Sequence, residues 1–265
     1  MKNKKITVTL ACAGLTISLL TGCGGTSKEQ KEARTAGITA LEAGDYAGAI
    51  QKFDQAISAD SGKAGSFEID VLKYRGEAEY ELGDYEAAAH TYEILMQVDK
   101  ERPEYMYLQT MAWSSQIIDT QADEAGKLQT AVDVYTKAYA EDHKAQGAET
   151  AMILLGTALE NQGRSQDAMN MYQQAMDAGK PSAELYNHMG ICMLGEKKYE
   201  EAMNYFQQGI TLNDESQMAD LKYNEAVVYE FQGDFAKALE LFQSYVTTYG
   251  SNEEAEREIA FLQSR

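Results

Sequence analysis

One spacing recurs along this chain and limits its possible folds more than any other feature. An aromatic residue is followed three positions later by Ala and four positions after that by a second aromatic. The pattern stands at Tyr46, Ala49 and Phe53, at Tyr85, Ala88 and Tyr92, at Tyr199, Ala202 and Phe206, and at Phe235, Ala238 and Phe242. A fifth copy carries Ser165 in the first place, then Ala168 and Tyr172. Offsets of three, four and seven put all three side chains on one face of an α-helix. Gly44-Asp45, Gly83-Asp84 and Gly233-Asp234 stand just before three of these helices. Gly suits the stop of a preceding helix and Asp the N-cap of the next. Seven residues before each opening Gly or its equivalent comes a small residue: Gly37, Gly76, Gly156, Gly190 and Ala226.

A sixth copy is irregular. Leu128, Ala131, Tyr135 and Ala138 mark its second helix, and Pro103 is a good first-turn residue for its first. With Ala112 as the small residue, this hairpin carries about seven extra residues, in the polar stretch 119–126, and a lengthened loop is predicted there.

Taken together, these residues resemble the tetratricopeptide repeat. The resemblance implies an all-α fold, an α-solenoid of about six helical hairpins with the small residues where the two helices of a hairpin cross. The repeats fall near 30–63, 69–102, 103–144, 149–182, 183–216 and 219–252. Residues 253–265 follow as an amphipathic cap in which Ile259, Phe261 and Leu262 can cover the last hairpin.

Ahead of the array, Lys2, Lys4 and Lys5 precede an apolar stretch from Ile6 to Leu20, too short for a comfortable spanning helix. Leu20-Thr21-Gly22-Cys23 closes it and resembles the bacterial lipobox. That resemblance implies a signal peptide over 1–22, cleavage before Cys23 and acylation (palmitate among the chains) of its thiol. Two acyl chains, at about 0.8 kcal/mol per buried CH₂, anchor a protein stably without a spanning helix. Residues 23–29 form a short tether, and the protein is placed on the extracytoplasmic side of a membrane, at an outer surface or in a periplasm.

The formal charge is −19, and the leader holds three Lys and no acid, so the body is more acidic still. Such a body repels phosphate backbones, so no nucleic-acid partner is predicted, and basic protein partners suit it. Cys192 is the only cysteine beyond Cys23 and is predicted to pack as a small apolar residue beside Met189, Ile191 and Met193. His90, His143 and His188 show no metal-ligand spacing. Neither a phosphate loop nor a nucleophile elbow is present, so no catalytic residue, metal or cofactor is assigned and no enzyme is predicted.

In tetratricopeptide arrays the first helices line a binding surface. Carried over residue by residue, this implies Arg34, Ile38 and Leu41 in the first repeat, and Lys73, Glu77 and Tyr80 in the second. Gln109, Trp113 and Gln116 follow in the third, and Ile153, Thr157 and Glu160 in the fourth. Asn187, Ile191 and Leu194 come from the fifth, and Tyr223, Val227, Glu230 and Phe231 from the sixth. Mixed aromatic, aliphatic and polar groups suit an extended peptide or a helix. Trp113, the only Trp, is either an anchor on this surface or packed between helices. The function implied is a membrane-anchored scaffold for protein–protein interactions at the cell envelope. The alternative is an extracytoplasmic module that presents a small molecule or glycan to a transporter.

Overall fold

The computed structural model describes residues 26–58, 64–123, 126–177 and 181–265. The expected leader, Cys12 and Cys23, the expected acylation site, lie outside the described residues. All thirteen elements among the described residues are α-helices: α1 (Lys28–Glu42), α2 (Tyr46–Ser58), α3 (Ser66–Leu82), α4 (Tyr85–Val98), α5 (Pro103–Thr120), α6 (Lys127–Asp142) and α7 (Ala148–Asn161), then α8 (Ser165–Asp177), α9 (Ala183–Gly195), α10 (Tyr199–Thr211), α11 (Glu215–Phe231), α12 (Phe235–Tyr249) and α13 (Glu253–Gln263). None of them is long and apolar enough to cross a membrane.

Turn chemistry sets the helix ends. Gly44, Gly83, Gly163 and Gly233 adopt positive φ, between 72° and 83°, where a side chain would be strained. Asp84 then accepts from the Ala87 amide at 3.2 Å, and Asp234 from the Lys237 amide at 3.1 Å, each satisfying a donor that the first helical turn cannot. At the start of α1, Ser27 and Gln30 form a reciprocal capping box. The fifth hairpin manages without this chemistry: Lys197 takes the positive-φ place at 60°, and Lys198 caps α10 with no side-chain hydrogen bond.

The described chain forms two compact units, one ending at Ala78 and the other running from Glu79 to Arg265. In the first, α1 packs along α2, and Phe53, Ala49, Ala56, Val71 and Ala78 form a buried cluster with Ile38 and Leu41 against it. The buried Gln30 amide donates to the Ala56 carbonyl at 3.2 Å and so ties the start of α1 to the end of α2.

In the second unit, each first helix meets its own second helix and the next first helix: α5 touches α6 and α7, α7 touches α8 and α9, and α9 touches α10 and α11. Two layers result, with α5, α7, α9 and α11 on one side and α6, α8, α10 and α12 on the other. The irregular hairpin departs from the sequence expectation. Helix α5 continues to Thr120, so the loop begins at Gln121 rather than at residue 119. Asp123 then accepts from the amides of Lys127 and Leu128, at 2.6 and 3.2 Å, and so satisfies donors in the first turn of α6.

The crossings are tight. A Cβ built on Gly37 would lie 2.5 Å from the Phe53 ring, and one on Gly156 or Gly190 would lie 2.3 Å from Tyr172 or Phe206. All three rings are fully buried and have nowhere to move. Where Ala replaces Gly, at Ala112 and Ala226, it is itself fully buried. Gly156→Ala is therefore expected to destabilise by about 1–3 kcal/mol through overpacking, although Ala gains about 1 kcal/mol over Gly in an exposed helix. Calorimetry should show the melting temperature falling by several degrees; an unchanged or raised value would refute the tight crossing.

Candidate partner-binding surface

The residues carried over from the repeat pattern divide by burial. In the first unit, Ile38 and Leu41 are half-buried against the core, while Lys73 and Glu77 are exposed. Arg34 is committed elsewhere: its Nε donates to Asp70 at 2.5 Å and its guanidinium lies 5.4 Å from the centre of the Tyr74 ring. An open depression of about 680 Å³ runs along the other side of α1, past Thr35, Ala36 and Thr39.

In the second unit, three of the residues turn inward. Gln109 is buried and donates to the Ala89 carbonyl at 3.2 Å, so its amide faces α4. Asn187 is buried and accepts from Asn224 at 2.8 Å, which links α9 to α11. Trp113 is only 7% exposed, its ring lies under the Lys127 ammonium at 4.3 Å, and its indole N–H has no partner among the described residues. It packs in the long hairpin and offers no ring for a partner to grip. Tyr80 is half-buried, hydrogen-bonded to Ser115 at 2.8 Å and set edge-on to Tyr85.

A row of accessible side chains remains on the first helices. Ile153 and Thr157 on α7, Ile191 and Leu194 on α9, and Tyr223 and Val227 on α11 are all partly exposed. Tyr223 is braced edge-on by Phe242 and Tyr245. Phe231, at the end of α11, is 59% exposed and stacks on Tyr199 with nearly parallel rings. The fifth copy's missing aromatic has a local counterpart: Ser165 stands opposite Gly195, where a Cβ would meet its hydroxyl at 3.5 Å. Both sides of that contact are small together.

One polar network was not expected from the sequence. Glu160 on α7 accepts from the Cys192 thiol at 3.0 Å through one oxygen and contacts His188 Nδ1 at 3.2 Å through the other. Tyr172 stacks on the His188 ring. His188 and Cys192 are four apart on α9 and so share a face, but Glu160 lies 28 residues before the His, and only the stacking of hairpins joins them. Cys192 is thus more than an apolar filler. Burial, and after it the Glu160 charge, push its thiol far above the ordinary range, which keeps it protonated and a poor nucleophile. Among the described residues, no group of three or more His, Cys, Asp or Glu is arranged to hold a metal ion.

The tetratricopeptide repeat profile matches residues 34–96, 121–184, 153–213 and 194–253, together well over half of the chain. No curated protein matches it. Among solved structures, the chain is similar to a tetratricopeptide repeat protein from Parabacteroides merdae, at 15% identity and a TM-score of 0.69, covering 90% of this chain and 88% of the other. PilW, described as a widely conserved type IV pilus biogenesis factor, is similar at 14% identity and a TM-score of 0.64, over 87% and 98% of the two chains. MamA from Desulfovibrio magneticus is similar at 16% identity and a TM-score of 0.57, over 71% and 97%. At these identities the likeness is one of fold.

Thiol chemistry checks the buried network. In a Cys12→Ser, Cys23→Ser chain, Cys192 is expected to resist a thiol reagent at pH 8 until the protein is unfolded. A native reaction at the rate of a free cysteine would contradict this placement.

Proposed function

The chain belongs to the tetratricopeptide repeat family, and on that premise we propose that it is a membrane-anchored scaffold that holds protein partners at a bacterial envelope. One observation carries the proposal: the partly exposed row of Ile153, Thr157, Ile191, Leu194, Tyr223 and Val227, set on successive first helices and mixing apolar and hydrogen-bonding groups. Such a row suits an extended peptide or one face of a helix. Partners with basic surfaces fit the acidity of the chain, because opposite charge speeds encounter and rejects acidic competitors.

The anchor in this proposal is Cys23, by its place in Leu20-Thr21-Gly22-Cys23 after a basic and then apolar leader. Four residues, and so five Cα–Cα steps, separate Cys23 from Lys28, the first residue of α1. The five steps span at most about 18 Å, so an acylated Cys23 would keep α1 close to the lipid surface.

Two measurements test the two halves separately. Radiolabelled palmitate is expected to mark the wild-type chain, and Cys23→Ser is expected to lose both the label and membrane fractionation. Persistent label in that variant would sink the anchor. For the scaffold, a photoreactive residue at Ile191 or Tyr223 is expected to capture a protein partner in cells, whereas one at Gln207 or Gln243, exposed on α10 and α12, is not. Capture from α10 and α12 alone would move the binding surface to the other layer.

A further inference from the structure

The partly exposed row carries a charge pattern of its own. Helices α5, α7 and α9 contain no Lys or Arg. Their one His, His188, is held against Glu160. On α11 the one cation is Lys222, and it is spent on Glu225 at 2.9 Å. The first helices of the other unit differ: α1 holds Lys28, Lys31 and Arg34, and α3 holds Lys73 and Arg75. Acids border the row along one side. Glu149 stands four residues before Ile153, Glu184 seven before Ile191 and Asp220 three before Tyr223, so each shares a helix face with its neighbour in the row. Asp220 is exposed, and Glu149 and Glu184 are partly so.

Spacing selects the shape of the occupant. Neighbouring first helices are joined side chain to side chain: Glu160 of α7 to His188 and Cys192 of α9, and Asn187 of α9 to Asn224 of α11. Packed helices lie about 8–10 Å apart. Thr157, Ile191 and Val227 each follow the small crossing residue of their helix by one position, so they form a file across the three helices at about that interval. A helix laid across the file returns a side chain to the same face every seven residues, or about 10.5 Å. An extended strand returns one about every 6.6 Å and then about every 13 Å, and so falls out of step. A helix with one apolar stripe also carries its charges along the border of that stripe, where Glu184 and Asp220 stand.

Building on the scaffold reading, we propose that the face of α7, α9 and α11 receives a cationic amphipathic helix of a partner protein. Its apolar side chains, at heptad spacing, lie on Thr157, Ile191 and Val227, and its Lys or Arg side chains meet Glu184 and Asp220. The file supplies contact area to any amphipathic helix of the right period. Charge then selects among them: a helix bordered by acids would meet carboxylates at the edge and no free Lys or Arg on α7, α9 or α11 to offset them.

A fluorescein-labelled peptide of about 18 residues, with Leu at the heptad a and d positions and Lys elsewhere, is the probe. Anisotropy is expected to show saturable binding to the full-length chain carrying Cys23→Ser, weakened as salt rises from about 50 to 300 mM. Adding Glu184→Lys with Asp220→Lys is expected to weaken binding about tenfold or more, and Glu184→Gln with Asp220→Asn by less. Ile191→Ala should cost several-fold. Glu141→Lys with Glu201→Lys makes the same charge change at exposed sites on α6 and α10 and is expected to stay within about twofold. Circular dichroism checks that each variant keeps its helices. No saturable binding, equal binding of the same peptide with Glu for Lys, or equal losses in the two Lys double variants would each overturn the proposal. Capture at Ile191 in cells of a partner segment without Lys or Arg would also overturn it and leave the scaffold standing, whereas capture of nothing there would remove the scaffold reading itself.

Discussion

An aromatic ring lying on a bare glycine backbone is the contact on which three of the hairpins depend. Phe53 covers Gly37, Tyr172 covers Gly156 and Phe206 covers Gly190, at distances that exclude even a methyl group. Each ring is fully buried, and burying such a side chain stabilises by about 2–3 kcal/mol. The crossing also sets how close the paired helices come, and so how the first helices of the second unit align. The row of accessible side chains on α7, α9 and α11 inherits its spacing from these contacts. In the last hairpin Ala226 takes the glycine's place beneath Phe242, which shows that small size, more than the backbone freedom of glycine, is what the site demands.

Much of this was legible in the sequence because each rule acts within one hairpin. The aromatic-Ala-aromatic spacing marks a helix face, the Gly-Asp pair marks the turn and its cap, and α3 and α11 run longer than the regular pattern without disturbing it. The proposed binding surface was less legible. Which way Gln109, Trp113 and Asn187 turn depends on neighbours 20 or more positions away or on the altered α5–α6 boundary: the Ala89 carbonyl, Asn224 and Lys127. The Glu160–His188–Cys192 network was invisible for the same reason. Its only local trace is the four-residue interval between His188 and Cys192, and that interval is common on any helix.

The functional reading follows from what the two layers leave open. Three polar side chains on the first helices are spent on joining helices: Gln109 to α4, Asn187 to α11 and Glu160 to α9. What remains accessible is mostly aliphatic and aromatic, with Thr157 as a polar exception whose hydroxyl already donates to the Ile153 carbonyl. Recognition on this face would draw on shape and apolar area, while the acidity of the chain steers which partners arrive.

A double-mutant cycle between Gly190→Ala and Phe206→Leu measures the central contact directly. If the added methyl group is costly because it strikes the ring, shrinking the ring should relieve it. The double variant should then be more stable than the sum of the two single losses by about 1 kcal/mol or more. Strict additivity would show that the methyl group and the ring do not meet, and that something other than the ring-on-glycine crossing holds the hairpins together.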